Sequence, residues 1–111
     1  MVIKFNTIKV VELLRYFRKL NDVDKLRLSI HLLEDKYLHI DINKDNEIKL
    51  LEERLIELDS SYRTTIVNFS KYTNLTLLSA KFIDLSKKEQ EDFIMEMLEN
   101  ISQNHFSIAN R

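Results

Sequence analysis

The sequence predicts an all-α protein, a compact bundle of four to six helices in which one long helix covers about residues 46–72. Three observations carry this. Neither glycine nor proline occurs anywhere in the 111 residues. Apolar side chains recur at helical spacing along most of the chain, and the breaks between the periodic segments are rich in Asn, Asp and Ser. Tight hairpins want residues that tolerate positive φ, and phosphate-cradling loops want glycine where a backbone must come close. Helices joined by asparagine- and aspartate-rich connections need neither.

The first helix is expected over residues 7–20, where Val10, Leu13, Leu14, Phe17 and Leu20 share a face and Glu12, Arg15, Arg18 and Lys19 lie opposite. Asn21 or Asp22 caps the second, expected over about 22–39, with a stripe of Val23, Leu26, Ile30, Leu33, Tyr37 and Ile40. Leu28 and Leu32 sit nearly opposite that stripe, so this helix is either central or meets a partner. In the long helix, Ile48, Leu51, Leu55, Leu58, Tyr62, Ile66 and Phe69 fall within an arc of about 80°. Asp59, Ser60 and Ser61 interrupt its composition without shifting its phase, which favours one helix over two. The next segment, with Asn74 as its cap, is apolar around most of its circumference from Leu75 to Ile83 and is therefore buried or an interface. Ser86 and Glu89 stand in capping-box spacing and open the last helix, whose stripe is Ile94, Met97, Leu98 and Ile101.

A chain of this length fits one domain, residues 1–111, around one core. No apolar run reaches the roughly 20 residues of a membrane span, and Lys4, Lys9 and Glu12 interrupt the N-terminal segment, so the expectation is a cytoplasmic protein without membrane contact. With no cysteine there is no disulfide framework, thiolate metal site or cysteine nucleophile. Without glycine, neither GxGxxG nor GxxxxGK[ST] can be written, which excludes the common nucleotide fingerprints. Abundant Ile, Lys and Asn fit an AT-rich genome such as that of a phage or plasmid of a low-GC host.

The stretch HIDINKDNEIKLLEE, residues 39–53, raises the one hint of metal chemistry. Asp41, Asn43, Asp45, the backbone of Glu47, and Glu52 stand at the ligand offsets of a calcium loop, with Ile48 at its apolar position. The stretch resembles an EF-hand loop, and the resemblance implies a calcium ion held by those five residues. It departs from the pattern at Asn46, where glycine makes the sharp turn, at Lys49, where an oxygen or water is expected, and at Glu53, where an apolar residue follows the last ligand. The competing reading is a capped turn in which Asp45 or Asn46 starts the long helix. His31, Asp35 and His39 stack at intervals of four on the second helix, but its outer members would lie about 12 Å apart, too far to share one ion.

Residues 1–27 carry seven cations against three acids, and Arg15, Arg18 and Lys19 share the outer face of the first helix, a candidate strip for nucleic-acid phosphates. No serine sits on a recognisable strained turn, no cofactor motif is present, and the expectation is not an enzyme. The leading expectation is contact with another protein, including a second copy of this chain as a homodimer, by a regulator, antagonist or adaptor. The residues expected at that contact are Leu28, Leu32, Leu50, Ile56 and Val67, the last three because they fall outside the long helix's own stripe.

Overall fold

The structure, a computed structural model, describes residues 7–36, 38–58 and 73–104. Among these residues there are five helices and no strand: α1 (Ile8–Arg18), α2 (Asp22–Leu33), α3 (Lys44–Leu58), α4 (Thr73–Ile83) and α5 (Lys87–Asn104). The all-α expectation holds. A Cα radius of gyration of 13.8 Å matches the roughly 13 Å of a compact chain of this length.

Local chemistry starts four of these helices. Thr7 is the N-cap of α1, its hydroxyl accepting from Val10 N–H at 3.4 Å. The Asn21 side chain caps α2, accepting from Asp24 N–H at 2.8 Å. At α5 the capping box is complete: Glu89 N–H donates to Ser86 Oγ at 3.2 Å, and Ser86 N–H donates to Glu89 Oε1 at 3.0 Å. For α3 the cap is Asn43, whose Oδ1 accepts from Asn46 N–H at 3.1 Å, two to three residues ahead of the expected start. An Asp45 or Asn46 cap would have left Asn43, the better-placed acceptor, outside the helix.

Glu89 also ties two helix starts together, since the Thr7 hydroxyl donates to its second carboxylate oxygen. That hydrogen bond first, and then the one from Ser86 N–H, hold the Glu89 carboxyl below its ordinary value of 4.5. A lowered folded-state pKa contributes stability that is complete above pH 4.5 and drains as pH falls through the lowered value. Thermal unfolding followed from pH 6 down to pH 3 should therefore fall more steeply for the wild type than for Glu89→Gln, and equal slopes would show that the carboxylate holds neither cap.

Packing decides the rest. α2 lies against α3, α4 and α5, while α1 lies chiefly against α5 and also meets α4. Because α2 has neighbours on several sides, Lys25, Leu26, Leu28, Ser29, Ile30, Leu32 and Leu33 are all buried. The Ser29 hydroxyl is satisfied by Lys25 C=O at 2.6 Å, and the Lys25 ammonium sits 5.9 Å from the centre of the Phe17 ring, a polar tip on a buried stem. The centre of the core is aromatic. The Phe93 ring of α5 meets Phe17 of α1 edge-on at 6.2 Å and Phe82 of α4 tilted at 5.6 Å.

Two expectations are corrected. α2 ends at Leu33 and does not reach 39: Asp35 N–H turns back to Leu32 C=O, Leu38 N–H to Asp35 C=O, and Leu38 drops into the core. Leaving the helix there lets Leu38 bury its side chain in the core. Second, of the two alternatives for α4, burial or an interface, burial holds on one side only: Leu75, Leu78 and Phe82 face inward, whereas Leu77 and Ile83 are exposed. The part of the long helix expected beyond Leu58, including Asp59–Ser61, lies outside the described residues.

Candidate functional site

The calcium reading does not survive the geometry. α3 begins at Lys44, so Asp45, Glu47 and Glu52 are helical residues strung along one axis, with about 10 Å of rise from the first to the last. A calcium loop needs irregular backbone there, to fold its ligands around one point. Asn43 spends its oxygen on the helix cap. Asp41 is exposed ahead of it, and among the described residues no three acidic or histidine side chains gather where a metal could sit.

The connection is instead organised by Lys44, at the loop's fourth position. Its Nζ donates to Asp35 C=O at 2.9 Å and to Leu38 C=O at 2.8 Å, tying the start of α3 to the connection that follows α2. Replacing it by methionine should cost about 1–2 kcal/mol, as charged hydrogen bonds at a half-exposed site do. Adding calcium should leave the melting temperature of either protein unchanged. A calcium-dependent rise in the wild type would restore the loop reading.

His31 and His39 no longer stack, because the helix ends between them; both are exposed, as is Asp35.

The five expected contact residues separate into different surroundings. Leu28 and Leu32 are 1% and 5% exposed and belong to the core, which corrects their assignment to a partner surface: α2 is central, the other of the two alternatives its pattern allowed. Ile56 is half-buried and lies about 120° around α3 from Leu50, so those two do not share a face. Val67 lies outside the described residues. Leu50 alone stands at an open surface, 47% exposed.

Leu50 borders a groove of about 430 Å³ between α3 and α5. One wall is Leu50, Leu51 and, just ahead of α3, Ile42; the other is Met95, Leu98 and Ile101. Leu51 and Ile101 close its floor from the core side, while Met95, at 42% exposure, faces solvent as Leu50 does. Glu47 and Arg54 flank Leu50 at spacings of three and four, and Glu99 follows Met95 by four, so the polar groups sit on the same helix faces as the apolar ones. The Nη1 atom of Arg54 is buried there without a hydrogen-bond partner.

Met95 and Arg54 were missed by the sequence reading, although the signal that picked out Leu50 applies to Met95 as well. It is an apolar residue outside its own helix's buried stripe. Arg15, Arg18 and Lys19 are all exposed on the outer face of α1, as expected. A second, smaller hollow of about 200 Å³ lies between α1 and the end of α4, with Lys9, Lys81, Glu12 and Asp84 on its walls. Its charges balance, and nothing in it converges on a common point. Among the described residues no helix is long and apolar enough to cross a membrane. No protein-family model, curated protein or solved structure matches the chain.

Proposed function

We propose that this is a non-enzymatic helical protein that acts by binding another protein, a regulator or adaptor, and that the α3–α5 groove is its contact surface. The observation that supports it most is the pair Leu50 and Met95, two large apolar side chains exposed on facing helices over a floor of buried Leu51 and Ile101. Apolar side chains scattered singly on a surface are ordinary; a cluster along a groove with charged residues at its edge is the form that receives an amphipathic helix. Affinity capture from the host should retain a partner on the wild type and lose it on Leu50→Lys/Met95→Lys, with the circular dichroism of the two proteins alike. A set of captured proteins that does not change between the two would overturn the reading.

A second reading is nucleic-acid binding by α1, favoured by the exposure of Arg15, Arg18 and Lys19 on one face. Its mark would be a gel shift lost on Arg15→Glu/Arg18→Glu and weakened steeply between 50 and 200 mM salt, about a thousandfold or more if six or more phosphates are neutralised.

A further inference from the structure

The groove and the outer face of α1 differ in charge, and each has what the other lacks. α3 and α5 together carry ten acids against five cations, whereas α1 with its cap residue Lys19 carries four cations against the single acid Glu12. On α1, Ile8, Val11, Arg15 and Arg18 follow at spacings of three, four and three, which places them on one outward stripe. All four are exposed, Ile8 at 78%. The stripe is apolar at its start and basic at its end. Across the molecule, the groove offers the apolar pair Leu50 and Met95 beside the acids Glu47 and Glu99.

Like faces repel: groove against groove sets acid on acid, and α1 against α1 sets base on base. Only α1 against the groove lets apolar surface and charge agree together. The unpartnered Nη1 of Arg54 adds an independent mark, because it is a buried cation donor that a carboxylate would satisfy, and Glu12 stands beside Ile8 and Arg15 on the same outer face of α1.

We infer that a second copy of this chain occupies the groove with the outer face of its α1, setting Ile8 and Val11 on Leu50 and Met95, and Arg15 and Arg18 against Glu47 and Glu99. The inference rests on the groove being the contact surface, and names its occupant. Each copy carries both faces, so docking closes reciprocally into a dimer or continues from copy to copy.

Sedimentation equilibrium over a range of concentrations tests it on four samples: wild type, Arg15→Glu/Arg18→Glu, Glu47→Arg/Glu99→Arg, and an equimolar mixture of the two variants. The wild type should exceed its monomer mass of 13.3 kDa as concentration rises, and added salt should reduce the excess. Each reversed pair should weaken association at least about tenfold, the effect of some 1.4 kcal/mol. Mixing should restore it, because the acidic α1 of one variant meets the basic groove of the other while the two unaltered faces still pair. Should either reversal disturb the helical circular dichroism, the neutral pairs Arg15→Gln/Arg18→Gln and Glu47→Gln/Glu99→Gln replace it, with weaker association expected from each. A wild type that stays at monomer mass throughout, variants that associate as the wild type does, or a mixture that stays dissociated would each overturn the inference. A monomeric wild type whose Leu50→Lys/Met95→Lys variant still loses a captured partner overturns the second copy alone and leaves the groove in place.

Discussion

Phe93→Ala should lower the free energy of unfolding by about 3–5 kcal/mol. Phe93 is fully buried, so the substitution loses the transfer energy of a whole ring and leaves a cavity that three helices border. It also removes both aromatic contacts, at 6.2 Å to Phe17 and 5.6 Å to Phe82, each worth about 0.5–1.5 kcal/mol beyond the area it buries. These two contacts join α5 to α1 and to α4, elements brought together only by tertiary structure, so little of the loss can be recovered within one helix. Against a total of about 5–15 kcal/mol for a domain of this kind, the variant should be near the limit of folding at 37 °C. Urea unfolding would show it as a fall in midpoint with the slope unchanged. Phe93→Leu, which keeps much of the volume, should cost about 1.5 kcal/mol or less. A loss below about 1 kcal/mol for the alanine variant would mean that the three rings do not pack together.

Phe93 also marks where sequence reading stops. The α1 stripe of Val10, Leu13, Leu14 and Phe17 was fully legible because a surface helix with one buried side writes its burial in its own periodicity. The caps at Asn21 and Ser86–Glu89 were legible for a similar reason: a capping side chain reaches only two or three residues along the chain. Phe93 lies at the edge of the arc defined by Ile94, Met97, Leu98 and Ile101, and it is buried because α1 and α4 both lean over that edge, a fact that resides in other segments. The end of α2 was illegible likewise, since the periodicity runs on through Ile40 while Leu38 turns the chain into the core.

In the candidate site, offsets alone made Asp41 to Glu52 resemble a loop, but Asn43 caps a helix that begins inside that stretch, at Lys44. Leu50 was legible as an apolar residue off its stripe. That Met95 faces it across a groove depends on how α3 and α5 are placed, which no local pattern encodes.

Leu28→Ala should cost about 2–5 kcal/mol, and the cost should be the same at any protein concentration. This is the sharpest consequence of a central α2. Were Leu28 part of a contact between chains, its truncation would act on association, and the melting temperature would shift with dilution in the wild type and less so in the variant. Buried at 1% within its own chain, it instead belongs to the folding of the monomer. Leu50, in the groove and half exposed, makes the contrast: Leu50→Ala should change the stability of the dilute protein by about 0.5 kcal/mol or less, any further loss appearing only at the higher concentration, where chains associate. Urea unfolding of both variants at two concentrations a hundredfold apart separates the roles of the two leucines. If Leu28→Ala were as stable as the wild type, or destabilised only at the higher concentration, α2 would have to present that side to another molecule. A large, concentration-independent loss at Leu28 beside a loss at Leu50 that disappears on dilution places Leu28 in the fold and leaves the α3–α5 groove, rather than that side of α2, as a surface open to a partner.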